Sequence, residues 1–367
     1  MSGKLTTWLV AGASLLGVFG CSSRPAPRDY MKENVARWNA QLEEAGGTFE
    51  AWEQKVKPYH DDVRKALEDR PPSISGIIGL EDTLFFRRSL EVLVCGDYAK
   101  QTGGKYPLPA IVDFHEQLKS RGIHLLFCPI PVKGAVFPDR LSENAPPKTG
   151  PYANPWTYKL FLELAAEGVE CVDLMPALLA ARDEPGEELY MPLDTHYSPR
   201  GMEVVADVFA ERIRNYEWYR NPKPTWKRAA YTTQDAPFKR RGDIVAMLKA
   251  SERRKYRPME LVGKQVVGPD GELYKDDKTS PVMFLGDSYA GVFHFQDCKN
   301  AGITAHIALR VGMPLDLVLG LGMGPEVRKK VARRGKDGLT GKRLVIWALS
   351  ERDLYNYRSP WGIIPMP

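Results

Sequence analysis

Val282-Met283-Phe284-Leu285-Gly286-Asp287-Ser288-Tyr289 is the stretch on which the reading of this chain turns. Four apolar residues in a row predict a strand buried on both faces, and the glycine ends it. A serine then stands where a helix should begin. That puts Ser288 at the carboxyl end of a strand, beside the backbone N–H groups of a helix N-terminus, which suit a developing oxyanion. A serine hydroxyl becomes a nucleophile only when a neighbouring base removes its proton. The other reading is a serine that merely caps the helix.

The base such a serine needs stands upstream, in Asp194-Thr195-His196-Tyr197-Ser198-Pro199-Arg200-Gly201. In an extended segment, side chains two apart point the same way. Asp194 can then hold His196 in one tautomer and leave its second ring nitrogen for a nucleophile. Among the six histidines, His60 and His115 also lie two residues from an aspartate, Asp62 and Asp113. Both of those pairs fall in predicted helices, where positions two apart do not face each other. A purely structural Asp–His pair and a pair of metal ligands are the alternatives. No third-ligand cluster accompanies them, so neither metal nor cofactor is expected.

Around these two motifs the pattern alternates. Helices are predicted over 109–121, 156–167, 199–215 (opened by Ser198-Pro199) and 243–250. Strands are predicted over 123–129, 169–174, 282–285, 303–309 and 344–349. This predicts an α/β fold: a mainly parallel sheet with helices on both faces, whose active site lies at the carboxyl ends of the strands. Two further helical stretches, 30–45 and 49–69, form an N-terminal arm packed on the main domain. Gly312 to Gly324 reads as turns around an apolar stretch, or as a loop shaped over the site.

The 367 residues are 43% hydrophobic and 26% charged, enough for a sizeable core. Net charge is only +5, with no long basic run. The cluster Arg328, Lys329, Lys330, Arg333, Arg334 and Lys336 reads as a solvated helix face, and no nucleic-acid partner is expected. At the N-terminus, Lys4, an apolar run from Trp8 to Gly20, and Val18-Phe19-Gly20-Cys21 have the layout of a secretory signal ending in a bacterial lipobox. Cys21 is then lipidated, and the mature protein is periplasmic and anchored to a membrane, by the sorting default of Ser22 the outer one. The expected division is 1–21 signal and lipobox, 22–75 tether and helical arm, and 76–367 catalytic domain. Cys95, Cys128, Cys171 and Cys298 lack metal-ligand spacing and read as buried thiols, although export also permits disulfides.

Asp194-Thr195-His196 with Gly201, followed by Gly286-Asp287-Ser288-Tyr289, resembles the alginate O-acetyltransferase family, whose catalytic domain is SGNH hydrolase-like. Leu118 to Lys133, Gly242-Asp243-Ile244 with Met247-Leu248, and Val345-Ile346-Trp347 through Glu351-Arg352-Asp353-Leu354 extend the likeness over roughly residues 80–356. Ordinary SGNH hydrolases place the serine block first; here the order is reversed, as in the alginate family. The resemblance implies that Ser288 takes up an acetyl group, His196 acts as general base and then acid, and Asp194 orients His196. Lys133, Tyr289 and Arg352 become candidates for oxyanion or substrate contacts. It further implies an exported polysaccharide as substrate and a membrane-bound O-acyltransferase as acetyl supplier. The pattern departs from the family in two ways: no carbohydrate-binding module is legible after the catalytic domain, and the usual Gly and Asn oxyanion blocks are not identifiable. An esterase or deacetylase with the same triad, and a non-catalytic polysaccharide-binding lipoprotein of a secretion complex, are the competing expectations.

Overall fold

The apolar run ahead of Ser288 forms a strand, Val282–Gly286, every residue of which is buried. It lies in a five-stranded, wholly parallel sheet. The computed structural model describes residues 26–367, so the expected signal segment and Cys21 lie outside the described residues. In chain order the elements are α1 (Tyr30–Glu44), α2 (Phe49–Glu68), an antiparallel pair β1 (Gly76–Ile78) and β2 (Leu84–Phe86), and α3 (Arg87–Glu91). Next are α4 (Leu108–Lys119), β3 (His124–Ile130), α5 (Lys133–Val136), α6 (Pro155–Ala166), β4 (Glu170–Cys171), α7 (Met175–Arg182) and α8 (Pro199–Asn215). After α9 (Glu217–Arg220), β5 (Thr232–Arg240) and β6 (Met259–Val267) form an antiparallel ribbon outside the main sheet. Then come β7 (Val282–Gly286), α10 (Ser288–Gly291), one π-helical turn (Val292–Gln296), α11 (Ile303–Val311), β8 (Asp316–Leu319), α12 (Arg328–Ala332) and β9 (Leu344–Ser350).

The sheet order is β4-β3-β9-β7-β8. Side chains alternate across it as a pleat requires. Phe127 and Trp347, paired across β3 and β9, pack with Phe114 of α4, while Phe284 of β7 meets Phe209 of α8 on the opposite face. Both faces are therefore covered, which explains why the strands read as continuous apolar runs rather than alternating ones. The predicted α/β class stands, with a wholly parallel main sheet covered on both faces.

The N-terminal helices share this core. Trp38, Trp52, Tyr59 and His60 are buried, and each bonds into the main body: to Asp173 Oδ2 (2.9 Å) and to the carbonyls of Tyr152 (2.9 Å), Gly134 (2.7 Å) and Ala153 (2.7 Å). His60 therefore does not pair with Asp62, as its helical spacing requires.

Several expectations need correction. Residues 303–309 are not a strand but the helix α11; the segment is buried almost all round, so its apolar run carries no period to tell helix from strand. The strand expected over 169–174 is only two residues long, and the helix over 243–250 is a 3₁₀ turn, Ile244–Met247. The glycine-rich stretch 312–324 contains edge strand β8. Arg328 is not on a solvated face: it is buried over Trp347 and donates to the carbonyls of Ala110 (2.8 Å) and Gly362 (3.1 Å), pinning the C-terminal tail. Among the described residues all four cysteines are free thiols, three of them buried.

Two glycines fix the approach to the loop that carries Asp194 and His196. A Cβ on Gly201, in the first turn of α8, would sit 2.0 Å from the Leu189 carbonyl oxygen. One on Gly242 would sit 2.2 Å from the Leu193 carbonyl oxygen, and Gly242 also has a positive φ of 85°. Backbone cannot yield as a flexible side chain can, so Gly201→Ala should cost about 2–4 kcal/mol of folding stability. Urea unfolding of the variant beside the parent checks this; an equal midpoint would show that the loop is free to move away.

Candidate active site

Three neighbouring strands deliver side chains to one place. The carboxyl ends of β3, β9 and β7 lead into Lys133, Glu351-Arg352 and Asp287-Ser288 respectively. In an open α/β sheet this is where ligands bind.

Asp287, not Ser288, caps α10. Its Oδ1 accepts from the Tyr289 N–H (2.9 Å) and its Oδ2 from the Ser350 N–H (2.8 Å), tying the end of β7 to the end of β9. The serine is thus not spent on capping. The same bond corrects an expectation: the Tyr289 N–H is already taken and is not a free oxyanion donor.

The segment from Asp194 to His196 is a bend, not the extended run expected. The two side chains still meet, because Asp194 Oδ1 accepts both the His196 backbone N–H (3.1 Å) and the ring Nδ1 (2.7 Å). An ionised carboxylate only accepts, so Nδ1 carries the hydrogen and Nε2 is left with its lone pair. Nε2 is buried and has no hydrogen-bond partner. Asp194 itself is 0% exposed. Its Oδ2 accepts from Arg240 Nε (2.6 Å) and from the Asp243 backbone N–H (2.8 Å). Burial pushes this carboxyl's pKa up, but the bonds and charges of His196 and Arg240 outweigh it and hold the group well below the usual carboxylate range.

Asp243 completes the support. Its carboxylate accepts the Thr195 N–H (2.8 Å) and the Thr195 hydroxyl (2.6 Å), and lies 3.7 Å from His196 Nδ1. Asp194, His196 and Asp243 are close enough together to face one cation. Their oxygens are instead filled by N–H and O–H donors from the protein, which is the chemistry of a hydrogen-bonded dyad with its props.

Tyr289 joins the two motifs. Its hydroxyl donates to the Thr195 carbonyl (2.7 Å), its own carbonyl accepts from the Tyr197 hydroxyl (2.5 Å), and its ring centroid lies 4.9 Å from that of His196. The neighbour of Ser288 is therefore packed against the imidazole, while Tyr289, only 1% exposed, has no hydroxyl to spare for substrate. Lys133 is also committed. Its Nζ donates to the carbonyls of Leu84 (2.7 Å) and Pro192 (3.1 Å), holding β2 and the Asp194 loop together. Arg352 differs. Glu351 is bonded to Val132, Asn154 and Thr157, and Asp353 faces Arg88 at 3.5 Å. The Arg352 guanidinium lies over Phe86 (5.5 Å) and Tyr289 (5.9 Å), with Nη1 buried and unpartnered.

Arg240 and Asp243 escaped the sequence reading of the site. Gly242-Asp243-Ile244 entered only as part of the family likeness, and Arg240 ends an exposed ribbon with no spacing to any motif.

These features define a class: a parallel α/β domain with a buried Asp–His dyad at the strand ends and a serine opening the helix after β7, with no hydrogen bond joining Ser288 to His196 Nε2. The family described as SGNH hydrolase-like domain, acetyltransferase AlgX, matches residues 85–308, more than half of the chain, and the chain belongs to it. The "Probable alginate O-acetylase AlgJ" of Pseudomonas aeruginosa is 24% identical over 385 residues, covering 95% of this chain and 90% of that protein. Its namesake from Azotobacter vinelandii is 27% identical over 273 residues, covering 67% of this chain and 63% of that protein. The O-acetyltransferase domain of Pseudomonas putida AlgJ superposes with a TM-score of 0.58 at 19% identity, over 76% of this chain and 92% of that one. Pseudomonas aeruginosa AlgX superposes with a TM-score of 0.54 at 15% identity, over 76% of this chain and 66% of that one. At these identities the superpositions show the shared fold.

Lys133 gives a pH signature. Burial pulls its amine down from 10.5 to about 7, against the attraction of Asp194, Asp243 and Glu188. A neutral amine has two hydrogens, matching its two carbonyl acceptors. With the folded value depressed, this stability is fully present above 10.5 and is lost as pH falls towards 7. The parent should therefore gain about 2 kcal/mol between about pH 7.5 and 9.5 from this group. Lys133→Met should flatten that rise in urea titrations; an unchanged slope would assign the pH dependence to other groups.

Proposed function

We propose that this chain is a serine-dependent O-acetyltransferase that acetylates an exported polysaccharide through an acetyl-serine intermediate. The observation that carries the reading is His196: one ring nitrogen is fixed on a buried carboxylate, and the other is free, buried and packed beside the residue after Ser288. The likeness to proteins named alginate O-acetylases supplies the reaction class and makes an acidic exported polymer the first substrate to try.

In this reading His196 Nε2 takes the Ser288 proton as Oγ attacks the acetyl carbonyl of a donor ester. The proton passes to the leaving group, and Ser288 is left acetylated. A sugar hydroxyl then attacks the acetyl-serine, giving its proton to Nε2, which returns it to Ser288 Oγ. Both steps need Oγ and Nε2 to close to about 2.6–3.2 Å. Arg352, with one unpartnered donor at the strand ends, is the group of this chain best suited to a developing negative charge or a substrate carboxylate. Lys133 and Tyr289 serve by holding the dyad loop. Cys21 carries the lipid anchor that keeps the domain at a periplasmic membrane face, and a membrane-bound O-acyltransferase supplies the acetyl group.

The test is acetyl release from nitrophenyl acetate, followed by mass spectrometry of oligosaccharides incubated with a donor. Ser288→Ala and His196→Ala should each lower turnover by about 10³-fold or more, and Arg352→Met by about 10²-fold. Undiminished turnover in Ser288→Ala would refute the nucleophile assignment. Acetate release without any acetylated sugar would make the chain an esterase or deacetylase instead. For the anchor, Cys21→Ser should move the protein from the membrane to the soluble fraction; continued membrane retention would remove the lipid from the account.

A further inference from the structure

The ribbon β5–β6 stands outside the sheet and is exposed along much of its length, yet its last β5 residue reaches the deepest charge of the site. Arg240 Nε donates to Asp194 Oδ2 at 2.6 Å, and Nη1 donates to Asp297 Oδ2 at 2.5 Å. The three side chains are 12%, 0% and 16% exposed. Asp297 is the next residue after the π-helical turn Val292–Gln296, which itself continues α10, the helix that opens with Ser288. A π turn adds a residue to the ordinary helical count and swings the next side chain to a new bearing. Here that side chain is the carboxylate that meets Arg240.

Resting on the acyl-transfer reading above, we infer that Arg240 is a positioning residue for the triad: one guanidinium, held by Asp194 on one side and Asp297 on the other, sets the register between the base-bearing loop and the serine-bearing helix. A planar guanidinium with fixed donor directions suits this task, where a lysine offers only a point charge. The pairing also has an electrostatic side. The charged and titratable groups around the dyad are Asp243 from the loop after the ribbon, Lys133 after β3, Tyr289 on α10, Arg352 after β9, Asp297 and Arg240 itself. Asp194 has no access to water, so removal of Arg240 leaves it with a large uncompensated charge. With the guanidinium gone, the His196 ring is the charge-bearing group still bonded to Asp194, and the imidazolium is favoured.

The experiment uses the full chain and nitrophenyl acetate, with kcat and KM measured from about pH 5 to 9 for Arg240→Gln, Arg240→Lys, Asp297→Asn, the Gln/Asn double variant and Ser288→Ala. Arg240→Gln should lower kcat by about 10²-fold with KM changed less than about threefold. Its acid limb should move to higher pH, because His196 then holds its proton more tightly. Asp297→Asn should lower kcat by about tenfold, and the double variant should be no slower than Arg240→Gln, since both break one bridge. Arg240→Lys should recover the acid limb better than the rate. A folded Arg240→Gln protein with parental kcat and acid limb, while Ser288→Ala is inactive, would overturn the inference. So would losses from Arg240→Gln and Asp297→Asn that multiply in the double variant. Full turnover in Ser288→Ala would instead strike at the acyl-transfer reading itself. If Arg240→Gln does not fold, Asp297→Asn and Arg240→Lys decide the question by rate and pH limb.

Discussion

A carboxylate shut away from water needs donors on every side, and the site of this protein is arranged around that requirement. Asp194 receives the His196 ring and backbone, the Asp243 backbone N–H and the Arg240 guanidinium. An isolated charge in such a place would be very costly. The four donors come from the bend itself, from the end of an external ribbon and from the turn after it, so remote parts of the chain must converge before the charge is tolerable. Folding and assembly of the dyad are in this sense one event.

The close approach of these pieces is backbone on backbone. Gly201 lets α8 start against the Leu189 carbonyl, and Gly242 lets the post-ribbon turn pass the Leu193 carbonyl. Tyr289, Lys133 and Arg240 then brace the loop from three sides. The residues that hold the dyad outnumber those that would do chemistry, as expected where a nucleophile and base must be kept within a fraction of an ångström of reacting. Membership of the SGNH hydrolase-like acetyltransferase family fits this division, with a shared sheet and site-bearing strand ends.

Much of this was legible in sequence. Fully buried strands announce themselves as apolar runs, so β3, β7 and β9 were found within a residue or so, and Ser198-Pro199 marked the start of α8. The pairing of Asp194 with His196 was found for a reason that proved incorrect: a bend with an aspartate accepting its own backbone does what an extended segment was expected to do. The ribbon was not read from sequence: β5 is mostly polar and exposed, and β6, though richer in apolar residues, is only partly buried. Arg240 was therefore missed too; its partner lies 46 positions away, and only tertiary structure brings them together. Helix α11 was misread because burial on nearly every side erases the period on which such readings depend.

The two N-terminal helices are not a spacer. Trp38, Trp52, Tyr59 and His60 weld them into the body of the domain, and ahead of them the Arg28 backbone already bonds the Asn215 side chain of α8. With Cys21 acylated as proposed, only the six residues 22–27 would separate lipid from the domain, a reach of at most about 25 Å when fully stretched. An enzyme so moored would patrol a thin layer above the bilayer, meeting polymer as it emerges from the membrane and ignoring chains that have already drifted away.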